Sequence, residues 1–573
     1  MKKIKIESIV APYLEQSNGK YPKWLVKLMS LIIARIIYPK KVRALYNRIA
    51  DKKGISFIEE LFEHLNFTYK YSEKDYRKIP YEGKLFVVVN HPLGGLDALS
   101  VFDLIYSLRT DVKLIVADIL MNIENINEFF IPLNSLTWKP DAETLNEVDK
   151  IMKNEGVIIM FPSLEVSRSK YFRIKDKTWS PEIIKAIRQY NANVLPVFIN
   201  SKNSFFFYLL SSIKQTISML FLPREILKKR SKSINITIGN PLPPSSFKSE
   251  AISDSSYAKL LQKHVYRIGR GKKGVFREEM TIIHPIDVKL LKKELANSEK
   301  LASLPGGELY IVLNESAPNV VKEISRLREI TFRKVGEGTG KNKDQDFYDQ
   351  HYHHLILWNP LEAEIIGAYR LGIVRDILEK HGFDGLYSSE LYFFDEEFMP
   401  EMNAALELGR SFIQQKYWRT MSLDLLWQGI GIFLSKNPHI RYLFGSVSIS
   451  NNYNDFAKSA IVSYYKNWFG SNKSYVHGKN KFEISTKDSA EIQSIFKGVD
   501  YTEDFRLLKN ELKNFGLTVP VLFRQYTELC EFGGAKFLEF NIDTGFSNCV
   551  DGFIVLDSNY FKESKLSRYR TKI

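Results

Sequence analysis

The chain is 573 residues long, which is too many for a single hydrophobic core and predicts two domains of roughly 250 to 300 residues each. Its 44% hydrophobic and 13% aromatic residues exclude a disordered protein, and its net charge of +15 favours an anionic partner: a membrane surface, an acidic carrier protein or nucleic acid. The two cysteines, Cys530 and Cys549, are too few for a disulfide framework and indicate a reduced cytosol.

Two apolar segments are each followed by a basic cluster. Residues 24–38 precede the cluster at 40–43, and residues 205–223 precede the cluster at 228–232. This arrangement is typical of peripheral attachment to an anionic membrane surface, so we expect a membrane-facing helical N-terminus, with an ordinary buried helix as the alternative for the first segment. Neither a signal peptide nor a spanning segment of about 18 apolar residues is evident. We therefore expect a cytoplasmic protein, peripheral on the inner face of the cytoplasmic membrane.

A histidine and an aspartate stand at a predicted strand-to-helix corner. Residues 85–89 form a continuous apolar run rich in β-branched residues, which predicts a buried strand, and apolar positions at helical spacing follow from 98 to 108. Side chains at such corners lie above the sheet edge, where open α/β folds bind ligands. We therefore expect His91 to act as a general base on a substrate hydroxyl, while Asp97 orients its ring and stabilises the imidazolium.

The corner has the sequence HPLGGLD over residues 91–97. It resembles the first motif of the glycerolipid acyltransferases, in which histidine and aspartate stand four residues apart, whereas five residues separate them here. The form HPxGGxD resembles the variant of the amino-acid-lipid O-acyltransferases. The resemblance implies that His91 and Asp97 are catalytic, and we assign Gly94 and Gly95 to a tight turn at the substrate that absorbs the additional residue. A surface turn with an incidental histidine is the alternative.

Strands and helices alternate after this corner, which predicts an α/β domain. The predicted elements are strand 112–116, helix 143–154, strand 157–161, helix 181–190, strand 194–198 and strand 234–238. A helix that reaches Ile268 closes this domain, which we place at residues 1–268.

Two further segments resemble acyltransferase motifs in the order of the family. FPSLEVSR at 161–168 stands where the family has an FPEGTR-like motif, and VLPVFI at 194–199 stands where it has a proline-containing strand. Glu165 comes three residues after Pro162 and not directly after it, so we assign it to substrate binding without a defined role. The family's arginine is thought to meet a substrate phosphate. We expect Arg168 to bind a carboxylate by a bidentate pair, with a solvated surface arginine as the alternative.

The middle of the chain predicts a connection between two domains. Residues 269–300 begin with the basic sequence GRGKKG, which follows no strand and matches no phosphate-binding glycine motif, so we assign them to a linker. The second domain, residues 301–573, opens with a strand at 309–313 and a helix at 319–332. A mixed α/β core is predicted by further elements, namely strands at 364–372, 390–394, 404–408 and 442–447 and a helix at 423–436.

Five segments of this second half carry a resemblance to known enzymes. They are FRKVGEGTG at 332–340, YDQHYHHLILWN at 348–359, GAYRLG at 367–372, ELGRSFI at 407–413 and YLFGSVSIS at 442–450. In this order they resemble the ornithine-acyl-carrier-protein N-acyltransferases, relatives of the acyl-homoserine-lactone synthases within the acetyltransferase superfamily. Together the two halves resemble the bifunctional ornithine-lipid synthases. The resemblance implies two α/β domains, an acyltransferase domain with a membrane-facing helical N-terminus and then an acetyltransferase-like mixed-sheet domain.

The ELGR segment supplies the candidate catalytic residues of the second domain. Because it ends a predicted core strand, Glu407 and Arg410 are expected near the sheet centre, where the resembled enzymes bind the acyl thioester and the amine. Glu407 is predicted to take a proton from the ammonium, directly or through water. A structural carboxylate paired with Arg410 or Arg370 is the alternative, and we assign Arg370 to substrate binding.

The acyl donor is predicted to be an acyl-carrier-protein thioester, with no further cofactor. The loop by which acetyltransferases hold the coenzyme A pyrophosphate is not evident, and an acidic carrier protein suits the surplus of lysine. His351, His353 and His354 stand close together, but no HExxH or CxxC partner accompanies them, so we predict no metal site.

These observations predict a bifunctional acyltransferase of aminolipid synthesis. The second domain is expected to join a 3-hydroxyacyl group to the α-amine of ornithine and the first to esterify the 3-hydroxyl, so amino acids and lyso-lipids are the expected substrates. Alternatives are the same acylations on glycine or serine-glycine, or a lysophospholipid acyltransferase with a non-catalytic second domain. A basic membrane- or RNA-binding adaptor is a further alternative, but no nucleic-acid motif supports it, and we expect no nucleic-acid partner.

Overall fold

Two units make up the chain, residues 1–284 and residues 285–573. The computed structural model describes residues 40–134, 140–170, 173–205, 207–208, 222–249, 251–276 and 278–569. The apolar segment predicted at 24–38 lies outside the described residues, as does most of the one at 205–223. Among the helices that are described, none has the length and apolar character needed to span a membrane.

The first unit contains nine described strands. They are β1 Thr68–Lys70, β2 Leu85–Val89, β3 Val112–Ala117, β4 Phe130–Leu133, β5 Val157–Met160, β6 Arg168–Lys170, β7 Arg173–Lys175, β8 Asn193–Asn200 and β9 Ser233–Ile238. Seven of them form one sheet in the order β1-β9-β8-β2-β5-β3-β4, and β6 pairs with β7. The five strands from β8 to β4 are parallel, and β9 is antiparallel to β8.

Helices cover both faces of this first sheet. They span Lys40–Ile49, Ile55–His64, Glu73–Tyr76, Leu96–Tyr106, Ala142–Lys153, Glu182–Tyr190, Leu222–Lys228 and Asp254–Ile268. Along β2, Val87 packs with the helix Leu96–Tyr106 on one face, whereas Val88 packs with the helix Glu182–Tyr190 on the other. Burial on both faces explains why β2 is a continuous apolar run with no polar alternation.

The second unit contains ten described strands. They are β10 Glu299–Leu304, β11 Gly307–Val312, β12 His353–Asn359, β13 Glu364–Ile373, β14 Tyr392–Phe394, β15 Ala405–Ile413, β16 Tyr442–Ile449, β17 Val476–Gly478, β18 Ala535–Asp543 and β19 Cys549–Asp557. Eight form one sheet in the order β10-β11-β12-β13-β15-β16-β19-β18, and β14 pairs with β17. All neighbours in the large sheet are antiparallel except β15 and β16.

Helices also cover both faces of the second sheet. They span Val288–Ala296, Pro318–Val335, Val374–His381, Ser388–Leu391, Met399–Asn403, Ser422–Lys436, Asp455–Phe469, Thr486–Ile495, Tyr501–Asn514, Val521–Leu529 and Glu563–Tyr569. Along β12, Leu357 packs with the helix Ser422–Lys436, whereas Ile356 packs with the helix Pro318–Val335. The predicted α/β fold in two regions is confirmed.

The structure corrects two local expectations. The strand predicted at 404–408 continues to Ile413, so the ELGR segment lies inside β15 and not at its end. The predicted linker, residues 269–300, contains the helix Val288–Ala296, whose Leu291 and Leu295 are buried in the core of the second unit. The division between the two units falls within this interval, after His284. The domain boundaries otherwise remain predictions.

Candidate functional site

The corner after β2 brings His91 and Asp97 together. The chain turns through residues 90–95, and the helix Leu96–Tyr106 begins with Asp97 in its first turn. The ring Nδ1 of His91 lies 3.0 Å from Oδ2 of Asp97, which is completely buried. Since Nδ1 is engaged by the carboxylate, Nε2 is the ring nitrogen that remains for proton transfer to and from a substrate.

Backbone N–H groups of the turn hold the Asp97 carboxylate. Leu93 and Gly94 donate to its Oδ2 at 2.8 and 3.2 Å, and Gly95 donates to its Oδ1 at 2.8 Å. Gly94 has φ of +87°, and a Cβ there would come within 2.7 Å of the Val166 side chain, so this position requires glycine. Both glycines bind the aspartate, and their contact with a substrate stays a prediction.

The pKa values of the pair move in opposite directions. Burial lowers the pKa of His91, but the charge and the hydrogen bond of Asp97 outweigh burial, so the pKa is raised overall. Burial raises the pKa of Asp97, but His91 and the N–H groups of Leu93 and Gly94 outweigh it, so that pKa is lowered. An ionised aspartate beside a histidine that accepts a proton readily is the arrangement of a general base.

A second carboxylate, Asp176, holds the backbone of His91. Its Oδ1 accepts the His91 N–H at 3.3 Å and the Ser167 hydroxyl, and its Oδ2 accepts the indole N–H of Trp179 at 3.0 Å. The N–H of Ser167 donates to the His91 carbonyl at 2.7 Å. Burial raises the pKa of Asp176. Sequence reasoning missed Asp176 because it lies 85 residues from His91 and in no recognised motif.

Glu165, in the loop that follows β5, binds Arg168, the first residue of β6. Arg168 donates from Nη2 to Oε2 of Glu165, and Lys177 donates to Oε1 at 3.2 Å. The same loop reaches the corner, since the Phe161 and His91 rings pack with their centroids 4.2 Å apart. The guanidinium of Arg168 therefore already has a carboxylate partner, and its pairing with a substrate carboxylate stays a prediction.

In the second unit, Glu407 lies on β15 near the middle of the sheet and is 2% exposed. Its Oε1 accepts the N–H and the hydroxyl of Ser388 at 2.8 and 2.5 Å, and its Oε2 accepts the Tyr352 hydroxyl. Burial raises its pKa, and these hydrogen bonds oppose that rise. Within the described residues Glu407 forms no ion pair with Arg370 or Arg410. Both of its oxygens accept hydrogen bonds, and its role as the proton acceptor stays a prediction.

Three arginines, two of them buried, and three aspartates form one ion network in this unit. The members are Arg328, Arg370, Arg410, Asp344, Asp346 and Asp349. Arg328 holds Asp349 in a bidentate pair at 2.8 and 2.7 Å, and Arg370 uses Nη1 for Asp346 and Asp349. The Nε and Nη2 groups of Arg370 have no hydrogen-bond partner among the described residues. This edge of a guanidinium is one that receives a carboxylate in bidentate fashion.

Arg410 lies at a bulge of β15. The register between β13 and β15 shifts at this point and leaves an additional residue on β15, where Arg410 has φ of +49°. Its guanidinium lies 4.6 Å from the ring centroid of Tyr387 and 4.9 Å from that of Phe546. It also lies 3.5 Å from both Asp344 and Asp346. Aromatic and ionic contacts thus fix its position.

β15 and β16 pair over three residues and then diverge. The parallel register joins residues 405–407 to residues 442–444. Beyond it, β15 continues to Ile413 along β13, and β16 continues to Ile449 along β19. In the described ladder, the backbone groups that face the gap have no strand partner. An extended ligand that contains amide groups suits such a gap.

Three carboxylates cluster beside β16 and β19. Glu337 accepts the Ser448 hydroxyl at 3.1 Å, Asp551 is registered opposite Ser448, and Asp543 accepts the Tyr387 hydroxyl at 3.1 Å. Burial raises the pKa of Glu337 to about 7. Burial, together with Asp543 and Glu337, raises the pKa of Asp551 well above its usual range. Sequence reasoning missed these residues because only the folded sheet brings them together.

Two of the three clustered histidines, His351 and His354, contact backbone carbonyls. Nε2 of His351 lies 2.8 Å from the Gly385 carbonyl, and Nε2 of His354 lies 3.3 Å from the Asp349 carbonyl. Burial lowers the pKa of His351 and lowers that of His354 to about 4. In the described part of the chain, no group of three or more His, Cys, Asp or Glu side chains is placed to hold a metal ion.

Comparisons with known proteins match both units. The chain matches the family model described as Acyltransferase over residues 21–270, and the Acetyltransferase (GNAT) domain over residues 327–428. It is 32% identical to a glycine N(alpha)-acyltransferase of Phocaeicola vulgatus over 306 residues, which cover 50% of this chain and 92% of the relative. It is 30% identical to a lyso-glycine lipid O-acyltransferase of Bacteroides thetaiotaomicron over 262 residues, 44% of this chain and 95% of the relative. It is 29% identical to an L-ornithine N(alpha)-acyltransferase of Brucella abortus over 140 residues, 22% of this chain and 48% of the relative.

The two sheets, the His91 corner and these matches define an enzyme that carries two acyltransferase domains in one chain. More particularly, the chain belongs to the acyltransferase families of the glycine N(alpha)-acyltransferases and the lyso-glycine lipid O-acyltransferases.

Proposed function

We propose that the chain makes an amino-acid lipid in two acylations. The second unit joins a 3-hydroxyacyl group to the α-amine of an amino acid, and the first unit esterifies the 3-hydroxyl with another acyl chain. The main support is that one chain resembles, over most of their lengths, both a glycine N(alpha)-acyltransferase and a lyso-glycine lipid O-acyltransferase. An N-acylated amino acid is the acceptor that the ester-forming activity needs.

Glycine is the proposed amino acid. The relative named for glycine is matched over 92% of its length, whereas the relative named for ornithine is matched over 48%. Ornithine, which the sequence blocks predict, is the second candidate. The carboxylates of Glu337, Asp543 and Asp551 favour it, because they offer a partner to a second ammonium group.

Amide formation requires a neutral amine beside the thioester carbon. We assign the gap between β15 and β16 to the pantetheine arm of the donor, whose amides suit the unpaired strand edges. We assign Arg370 and Arg410 to the amino-acid carboxylate, since one edge of Arg370 is unpaired. The nitrogen attacks the thioester carbon, the C–S bond breaks, and the thiolate leaves and is protonated. Glu407 is the assigned proton acceptor, directly or through water, and Glu337 competes for that role.

An acyl-carrier-protein thioester is the proposed donor. The net charge of +15 suits an acidic carrier protein. Purified enzyme should therefore turn over 3-hydroxyacyl carrier protein much faster than the matching coenzyme A thioester. Equal rates with the two donors would remove this part of the proposal.

Ester formation is assigned to the His91 corner. His91 takes the proton of the 3-hydroxyl as the oxygen attacks the donor thioester carbon, and the leaving sulfur receives a proton as the C–S bond breaks. Asp97 orients the ring and stabilises the imidazolium. The substrate supplies the nucleophilic hydroxyl, so no serine or cysteine nucleophile is required.

We place the enzyme on the inner face of the cytoplasmic membrane as a peripheral protein. The support is the pair of apolar-then-basic segments at 24–43 and 205–232. Washing membranes with high salt or alkaline carbonate should release much of the protein. Resistance to both treatments would argue for a different mode of attachment.

Expression in a host that lacks such lipids tests the proposal. Mass analysis should detect a new phosphorus-free lipid with one amide-linked and one ester-linked acyl chain. An ornithine lipid carries a free amine and stains with ninhydrin, whereas a glycine lipid does not, so the stain separates the two candidates. The absence of any new amide-linked lipid, with the protein intact in the host, would contradict the proposed function.

A further inference from the structure

A cavity of about 450 Å³ lies beside the His91 corner of the first unit. Asn90 and Pro92, the two neighbours of His91 in the chain, line it together with Ser167, Tyr266 and the end of β8. Its volume lies within the range of small-molecule sites, roughly 300 to 1,000 Å³. Seven of its eleven lining residues have polar side chains, whereas an acyl chain is accommodated best by an apolar wall. The lining therefore suits the head group of a lipid.

The charged side chains that line the cavity are all positive. The lining includes Lys202 and Lys229 and, among the described residues, no carboxylate side chain. Lys229 is half-buried and donates to the Ser201 hydroxyl at 3.2 Å and to the Lys202 carbonyl at 2.6 Å, which leaves one of its three N–H groups. Burial lowers the pKa of Lys229, and the carboxylates of Glu225 and Asp97 oppose that shift. Lys229 is thus within electrostatic range of the catalytic pair.

The carboxylates near the cavity already have partners. Asp97 binds His91 and the N–H groups of residues 93–95 and 98. Asp176 binds Ser167, Trp179 and the His91 N–H. Glu225, which also acts on Lys229, is paired with Lys228 at 2.9 Å. These contacts stabilise the carboxylates and reduce the repulsion that an anion beside Lys229 would meet.

We propose that this cavity binds the carboxylate head group of the N-acylated amino acid, with Lys229 as its cationic partner. The proposal rests on the ester-forming function proposed for the first unit. In an N-(3-hydroxyacyl)glycine, five bonds separate the hydroxyl carbon from the carboxylate carbon, slightly less than two residues of extended chain, or roughly 6 Å. A head group held next to Asn90 and Pro92 therefore leaves the 3-hydroxyl within reach of His91.

The cavity also selects among amino acids. An ornithine head group carries a second ammonium, which would meet the lysines of the lining and no carboxylate. A glycine head group carries the carboxylate alone. The acceptor class is therefore an N-acyl amino acid whose head group bears only negative charge.

Kinetics of ester formation by the full chain test the proposal. The acceptors are N-(3-hydroxyacyl)glycine, its uncharged glycinamide and N-(3-hydroxyacyl)ornithine, all with the same acyl chain. The wild type should show the lowest KM for the glycine compound. Lys229→Met should raise that KM by about tenfold to a hundredfold and leave the KM for the glycinamide and both kcat values nearly unchanged. Lys229→Arg should keep the preference for the carboxylate.

Lys232→Met is the matched control, because Lys232 is an exposed lysine of the same basic cluster that does not line the cavity. It should behave as the wild type. A Lys229→Met enzyme that retains the preference for the carboxylate, or that loses both acceptors equally with an unchanged melting temperature, would overturn the proposal. A lower KM for the ornithine compound would overturn the head-group assignment, and so would stronger competition by 1-acylglycerol 3-phosphate than by N-acylglycine.

A binding measurement tests the head-group site independently of the ester-forming function. Calorimetry with a short-chain N-(3-hydroxyacyl)glycine compares His91→Ala with the His91→Ala/Lys229→Met double variant. Suppose that the wild type forms no ester, that His91→Ala binds the N-acylglycine and that the double variant does not. The proposed function is then wrong, and the head-group site stands. If ester is formed and the two variants bind equally well, the function stands and the site is wrong.

Discussion

The two candidate active sites are built from different kinds of contact. In the first unit, His91, Asp97 and the N–H groups that hold the aspartate all lie within one strand-turn-helix corner. In the second unit, Glu407 binds Ser388 and Tyr352, which lie 19 and 55 residues away along the chain. One turn therefore brings the His91 and Asp97 side chains together, with Asp176 supporting the His91 backbone, whereas the second site depends on the assembly of a whole sheet. Substitutions at the first should alter chemistry more than stability, and substitutions at the second should alter both.

His91→Ala should have the largest effect on chemistry alone. Removal of this proposed general base should slow ester formation by about 10² to 10⁴-fold, while amide formation continues and the monoacylated amino acid accumulates. Because four backbone N–H groups still hold the Asp97 carboxylate when the His91 ring is removed, the melting temperature should change little. Mass analysis of lipids and thermal unfolding check both points. A normal rate of diacylated lipid formation would show that the corner is only a turn.

Asp349→Asn should damage structure and chemistry together in the second unit. The substitution removes the charge that Arg328 and Arg370 share and leaves two buried guanidiniums poorly compensated. We expect a loss of about 3 to 5 kcal/mol in the free energy of unfolding of that unit. Amide formation should stop, while added N-acyl amino acid should still be esterified.

Asp395→Asn is the control for this network. It removes a contact with His477, Nε2 to Oδ2 at 2.9 Å, in which both side chains are more than 40% exposed, so stability should change by about 0.5 kcal/mol or less. Equal losses from the two substitutions, measured by denaturant unfolding, would contradict the distinction between buried network and surface pair.

Asp97→Asn should give a milder chemical effect and a shift in pH dependence. Because Asp97 raises the pKa of His91 and the base must be deprotonated, ester formation in the wild type should fall with decreasing pH through a midpoint above the ordinary histidine value of about 6.5. In Asp97→Asn the carboxylate no longer offsets the effect of burial, which lowers the pKa of His91, so the midpoint should move to lower pH. The plateau rate should fall by about tenfold to a hundredfold. A midpoint that stays in place would contradict the pairing of His91 with Asp97.

Among the substitutions in the His91 corner, Gly94→Ala should have the smallest measurable effect on the rate of ester formation. With φ of +87° and a side-chain contact at 2.7 Å, alanine should destabilise the first unit by about 1 to 3 kcal/mol and displace the N–H groups around Asp97. Gly83→Ala is the matched control, because Gly83 has φ of +89° with nothing within 4 Å. It should cost about 1 kcal/mol and leave ester formation unchanged. Equal activities of the two variants would show that the turn tolerates a side chain.

The sequence predicted features that depend on local contacts and missed those that depend on contacts between distant parts of the chain. The buried strand β2 and the pairing of His91 with Asp97 were predictable because all the information lies in one short window. Asp176 was not, since its contact with His91 depends on a loop far along the chain. β18 was missed because a register shift between Phe537 and Glu539 breaks its alternation. The contact of Ser388 with Glu407 was also missed, because Ser388 begins a helix of a single turn, which is too short to show a hydrophobic periodicity in the sequence.

The divergence of β15 from β16 has a consequence for the cooperativity of the second unit. Three residue pairs join the half-sheet β10 to β15 to the half-sheet of β16, β19 and β18. Such a narrow junction marks a boundary between cooperative folding units, so amide hydrogens that face the gap should exchange with solvent faster than those facing β13 or β19. A donor whose amides pair with both edges would slow that exchange and link the half-sheets. The acyl donor would then serve as the strand that completes the sheet.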